Sequence, residues 1–145
     1  MPEEETYKEN SQAVQAHFGI TQAVIQRMAS NSASCKAWCI ALVSAILVVV
    51  VDKGKPDYAL LAFIPTFLFL VLDTYYLALE KMFRQSYNDF IEKLHQEKVV
   101  SHDLYAVMPS GKMLETFFAS LISFSIWPFY IMLLVMIVIA QKVII

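Results

Sequence analysis

Two charge-free stretches, separated by one short polar turn, constrain this chain more than any other feature. Ala37 to Val51 and Tyr58 to Leu72 are each 15 residues long and hold no Asp, Glu, Lys or Arg. Between them lies Asp52-Lys53-Gly54-Lys55-Pro56-Asp57, where Gly54 and Pro56 favour a reversal. Folding the chain back at this turn sets Lys36 and Asp73 at equal distances from it, and Arg27 and Glu80 at nearly equal ones. If both arms are helical and antiparallel, each basic residue comes level with an acidic one. A lone charge in hydrocarbon is costly, so such residues take a partner or reach the headgroups. The pattern reads as a membrane hairpin with a polar, cytoplasm-facing rim.

A 15-residue helix rises about 22 Å, short of the roughly 20 residues that cross a bilayer. Lys36 extends the first arm by snorkelling and Trp38 by sitting at headgroup level. A buried helix of a soluble core is the competing reading for one such run. The chain holds several, with 58% hydrophobic residues and a mean hydropathy of +0.55, above ordinary soluble usage. Pro65 interrupts the second arm and is expected to bend it.

The helical pattern extends beyond both arms. From Ser11, the residues Val14, Phe18, Ile25 and Met28 recur at helical spacing, and a continuous or lightly kinked helix is expected over 11–51, with its span at 37–51. After Asp73, the residues Leu79, Phe83, Phe90 and Leu94 continue an amphipathic face to about Lys98, giving a helix over 58–98 with its span at 58–76. The extensions face one another as a stalk. Pro109-Ser110-Gly111 then breaks the chain. The remainder divides into 113–126, whose Glu115, Thr116 and serines suit an interfacial or stalk-packing helix, and 127–145, a third span entered at Trp127-Pro128. A fourth crossing would require two short halves with no turn between them. The fold class expected is a single all-α membrane domain over 1–145: a long antiparallel hairpin with a cytoplasmic stalk and a C-terminal transmembrane helix.

Basic residues outside the spans concentrate in the N-terminal region (Lys8, Arg27, Lys36) and around the connection (Lys81, Arg84, Lys93, Lys98, Lys112), which points N-terminus and stalk to the cytoplasm. The first apolar run follows more than 30 mixed residues without a small-residue cleavage site, so no secretory signal is expected, and Glu3-Glu4-Glu5 reads as a solvated tail. Net charge is −2 without a basic block, which gives direct nucleic-acid binding no electrostatic support. Cys35 and Cys39, spaced i, i+4, suit neither a zinc knuckle nor a redox pair and read as free thiols.

Two polar strips, together with Lys36, supply the candidate structural or gating residues: Arg27, Asn31, Lys36, Asp73, Tyr76, Glu80 and Arg84. Asp73, Tyr76, Glu80 and Arg84 share one helix face, with Glu80 and Arg84 an i, i+4 pair in the favourable order. This strip reads as an ion-pair ladder fixing hairpin register or, alternatively, as an ion or proton pathway or gate lined by Asp73 and Tyr76, or as a binding site for headgroups. Arg27, Asn31, Ser34 and Trp38 form the second, suited to packing within one copy or between copies. His17, His95 and His102 are scattered, and no Ser-His-Asp, Cys-His or phosphate-cradling glycine pattern occurs. No enzyme activity, catalytic residue, cofactor or metal ligand is expected.

The string RMASNSASCKAW, from Arg27 to Trp38, and the string IPTFLFLVLDTYYLALEKMFRQSYNDF, from Ile64 to Phe90, resemble those of small bacterial multi-pass membrane proteins found near defence genes. The more specific part is L-D-x-Y-Y-L-x-x-E-x-x-F-R, from Leu72 to Arg84. The layout is similar to SLATT-type proteins and to the membrane accessories of RADAR and type VI-B CRISPR systems; the third span here departs from the two crossings usual in SLATT-type proteins. The resemblance implies an inner-membrane protein that perturbs the bilayer in antiphage defence, under control of a cytoplasmic partner. The sequence expectation is therefore a self-assembling membrane effector or accessory that contacts lipid and forms a homo-oligomer, with a pore as one outcome. The alternatives are a non-conducting anchor or scaffold for a cytoplasmic defence protein and an ion- or proton-coupled channel or carrier.

Overall fold

A computed structural model describes residues 7–143, so the acidic start at Glu3–Glu5 and the last two residues lie outside the described part. The fold is helical, with no strand among the described residues. Helix α1 runs without a break from Gln12 to Lys53, 42 residues and about 63 Å. The polar, small-residued stretch Arg27–Ser34 continues it, because no Pro falls inside and Gly19 is the helix's only glycine. Gly54 ends it in the left-handed conformation, φ 61°, and its N–H donates back to the Val51 carbonyl at 3.3 Å. Lys53 sits in the last turn, where a cation complements the carbonyl end of the helix.

The return arm begins differently from the sequence expectation. Pro56–Ala62 forms a 3-10 helix, and the α-helix α2 starts at Phe63 and ends at His95. This explains why Pro65 leaves α2 intact. It falls in the first turn, where a backbone N–H has no partner inside the helix anyway. Pro128 occupies the same kind of position in the last helix. The 3-10 segment also lengthens the arm, since it rises about 2.0 Å per residue against 1.5 Å for an α-helix. Pro56 to Asp73 therefore covers about 30 Å, comparable with the roughly 26 Å from Lys36 to Lys53 on α1. Glu97, with φ 54°, reverses the chain just beyond α2, so the helix stops short of Lys98.

The arms pack antiparallel. Along α1, Gln22, Ser32, Lys36 and Cys39 meet Tyr87, Asp73, Asp73 and Pro65 of α2 in descending order. A one-turn helix α3, Ser101–Leu104, interrupts the connection. Helix α4, Met113–Leu121, then lies along α2, with the preceding segment fastened by Ser110 N–H to the Met82 carbonyl (3.1 Å) and Ser110 Oγ to Asp89 (2.7 Å). Gly111 has φ 104°, and a Cβ there would come within 3.2 Å of Gln85 Oε1. Helix α5, Trp127–Val143, follows a non-helical joint and packs along the 3-10 segment and the first part of α2.

Two separate cores result. At the loop end, Cys39, Val43 and Val50 of α1 bury against Ala59, Ala62, Ile126, Tyr130, Leu133 and Ile137. At the far end, Val14, Phe90, Leu94 and Val99 form a smaller cluster with Phe18 and Leu104 beside it. There His17 is buried, stacked on Phe90 at 4.2 Å, with Nδ1 3.1 Å from the Leu104 carbonyl. The N–H at Nδ1 is the donor in that contact, which ties α1 to the connection.

The exposed apolar surface is distributed unevenly. Large exposed hydrophobics crowd Trp38–Val51, Tyr58–Tyr75 and Trp127–Val143, while on the stalk parts of α1 and α2 Ile20 is the only one. The stalk shows Gln22, Gln26, Arg27, Arg84, Asn88, Glu92 and Lys93 instead. Helix α4 turns Leu114 and Phe118 outward at the border between the two zones. Two helices are thus long and apolar enough to cross a bilayer, Gln12–Lys53 and the continuous Pro56–His95 arm, and α5 is a shorter apolar helix.

Candidate functional site: a buried carboxylate shared by three helices

Asp73 sits where side chains of α1, α2 and α5 converge. It is fully buried. Lys36 Nζ lies 2.6 Å from Oδ2, the Ser32 hydroxyl donates to Oδ1, and the Tyr130 hydroxyl donates to Oδ2 at 3.1 Å. Lys36 Nζ also lies 3.4 Å from Ser32 Oγ. Helical geometry accounts for the pairing. Ser32 and Lys36 are one turn apart on α1 and so project from one face. Asp73 reaches them from the facing helix at the register that the Gly54 reversal sets.

Both carboxylate oxygens are therefore occupied. A charge in an apolar setting is tolerable when it is paired and its remaining lone pairs are filled. Lys36 keeps 22% of its side-chain surface exposed, so the cation has an outlet that the anion lacks. Nearby hydroxyls settle locally: Thr66 donates to the Ala62 carbonyl and Thr74 to the Leu70 carbonyl, each at 2.7 Å. Ser120 Oγ on α4 is buried and lacks a partner among the described residues.

Of the residues singled out in the sequence, Lys36 and Asp73 come together and the rest do not join them. The second rung does not form: Glu80 pairs with Arg84 one turn along its own helix, Nε to Oε1 at 2.8 Å, while Arg27 is exposed on the outside of α1. The intrahelical partner wins because it needs no second helix to bring it into range. Tyr76 is half-buried with its ring 5.8 Å from that of Tyr75, and Asn31 is half-buried. Ser34 and Trp38 face outward, so the strip from Arg27 to Trp38 lies mostly on the outer surface of a single copy. Two partners of Asp73 were missed. Ser32 was signalled by its spacing from Lys36. Tyr130 was signalled by being the one hydroxyl in the apolar run from Trp127 to Ala140, since a buried phenol needs a partner.

The stalk carries a separate charged contact. Lys93 Nζ is 2.7 Å from Asp103 Oδ1, and the Val100 N–H donates to Oδ2 at 3.2 Å. Burial by itself would raise the Asp103 carboxyl; the Lys93 and Val100 hydrogen bonds outweigh it and hold the group below the usual carboxylate range.

Comparison with protein-family models, with curated proteins and with solved structures gave no match to the chain.

Proposed function

We propose that the protein is a three-span inner-membrane effector or accessory of bacterial antiphage immunity that works by self-assembly, with N-terminus and stalk in the cytoplasm. The observation that carries membrane residence is the crowding of exposed large hydrophobics on the loop end of the hairpin and on α5, continued by Leu114, Phe118, Ile122 and Phe124, while the stalk parts of α1 and α2 expose only Ile20 and the connection Tyr105 and Met108. A soluble protein would leave several hundred Å² of contiguous apolar surface in water, which monomers rarely do. The defence role rests on the resemblance of Arg27–Trp38 and Ile64–Phe90 to membrane components of defence systems. The outward position of Arg27, Ser34 and Trp38 supports contact between copies.

Any conducting path belongs between copies rather than through one. Within a single chain Asp73 is enclosed by Ser32, Lys36 and Tyr130. Dye-loaded liposomes test this: release that scales with protein and rises steeply with subunit density supports a pore, and tight liposomes at high protein load refute it. A non-conducting anchor is the second reading. It is favoured by the concave surface at the stalk tip, about 630 Å³, where Tyr7 and Leu94 lie among Lys8, Gln15, His95 and Glu97, a mixed lining that suits a cytoplasmic partner. Activity that survives removal of α5 would select it.

A further inference from the structure

A second cleft, of about 430 Å³, opens between the stalk helices, its near edge about 14 Å beyond Trp38 and Tyr75, where the exposed large hydrophobics of the two arms end. Gln22, Gln26, Arg84, Tyr87 and Asn88 line it, over a floor of Ile25 and Ala29. We propose that it binds the phosphate of an anionic phospholipid from the leaflet on the stalk side. The inference rests on the membrane residence proposed above and adds a specific ligand to it.

Depth is the first argument. Measured along α1 from Lys53 at the loop end, Ala29 lies about 36 Å away and Gln26 about 40 Å. A bilayer measures roughly 40–45 Å with its headgroups and about 30 Å without them. The cleft therefore sits in the headgroup layer when the loop sits at the opposite surface. Lys36 then falls about 10 Å inside the hydrocarbon, where its pairing with Asp73 is needed.

Donor chemistry is the second. Glu80 holds Arg84 through Nε, which aims the guanidinium and leaves its two terminal amino groups for another acceptor. Those are the groups that grip a phosphate in a fork. The Gln22 amide donates to the Tyr87 hydroxyl at 3.2 Å, so the phenol's own proton remains available to an acceptor. The amides of Gln26 and Asn88 add further donors, and no carboxylate lines the cleft. Arg27 and Lys81 stand at the same level, so with Arg84 three cations meet two carboxylates there, Glu80 and Asp89, the latter accepting from Ser110 Oγ. That balance favours an anionic headgroup over a zwitterionic one.

The acyl chains have a route. Below Ala29, the exposed residues Ala33, Ala37 and Ile40 follow at one-turn spacing down the outside of α1. Ala33 and Ala37 leave room beside the helix for an acyl chain, and the exposed Ile40 offers it apolar contact where the apolar zone begins.

The test reconstitutes the full chain in phosphatidylcholine nanodiscs carrying a minor fraction of phosphatidylglycerol, and counts phosphatidylglycerol retained on the ejected protein by native mass spectrometry. Wild type should retain it in preference to phosphatidylcholine. Arg84→Gln should weaken retention about tenfold, as loss of a charge-assisted contact implies, and Arg84→Lys should fall between. Asn88→Leu, which leaves the Glu80–Arg84 pair in place, should give a smaller loss, and Lys55→Gln at the opposite loop none. Equal retention by wild type, Arg84→Gln and Asn88→Leu overturns the proposal while leaving membrane residence intact. Displacement by soluble glycerol phosphate would also overturn it, by assigning the cleft to a water-soluble phosphate. Failure of the wild type to enter nanodiscs would instead refute the membrane reading.

Discussion

Removing Lys36 should damage the fold more than removing Asp73, and removing both should damage it less than removing Lys36 alone. Lys36→Met leaves the Asp73 carboxylate fully buried, with only the Ser32 and Tyr130 hydroxyls for company. An orphaned buried charge costs about 3–5 kcal/mol. Asp73→Leu orphans a lysine that is 22% exposed and can swing toward the headgroups, so the loss is chiefly that of hydrogen bonds to a charged acceptor, about 2–3 kcal/mol. Asp73→Asn retains one acceptor oxygen and should cost about 1–2 kcal/mol. The double variant Lys36→Met with Asp73→Leu replaces the pair by apolar groups of similar volume. It should recover most of the loss, because a buried ion pair adds little over a well-packed apolar substitute. The assay is unfolding of each variant in mixed micelles against rising SDS mole fraction, followed by helical circular dichroism. A double variant as unstable as the sum of its singles would refute the reasoning, since additivity means the two groups do not interact.

Three further outcomes follow from other contacts. Tyr130→Phe deletes the phenol hydroxyl that α5 donates to Asp73 and should cost about 0.6–2 kcal/mol; cross-linking yield between α5 and α1 should drop, with the α1–α2 yield unchanged. Gly111→Val should strain the turn that begins α4, where φ is 104° and the space ends at Gln85, and protease cleavage at the 109–112 segment should accelerate. The Asp103 carboxyl titrates below the usual range, so its contribution to stalk stability is complete above the unfolded value near pH 4 and disappears as pH falls through the lower folded value; Asp103→Asn should therefore lower stability at neutral pH and flatten the acid limb of the stability profile.

The hairpin was legible because its information is one-dimensional. Gly54 fixes the reversal point, and counting back along two antiparallel helices brings Lys36 to Asp73, since the 3-10 segment lengthens one arm by only about 4 Å. The same count failed for Arg27 and Glu80, because counting ignores the competitor one turn away, Arg84. The 3-10 segment was not legible, since Tyr58–Ala62 has the same apolar content whichever helix it forms. Its presence explains Pro65 only in retrospect. Tyr130 reaches Asp73 because the joint before Trp127 sends α5 back along the hairpin, a tertiary fact that helical periodicity does not encode. The clefts on the stalk depend likewise on which side of α1 is left uncovered.

The central claim is that the apolar end of the hairpin and α5 lie in hydrocarbon while the stalk lies in water. Carbene labelling from a photoactivatable lipid in native membranes, read out by peptide mass spectrometry, tests it most directly. Adducts should cluster on Val48, Phe67, Leu68, Met136 and Ile139 and be missing from Gln15, Glu92 and Gln96, whereas adducts spread evenly over both zones, or none at all in a protein washed off by alkaline carbonate, would contradict it.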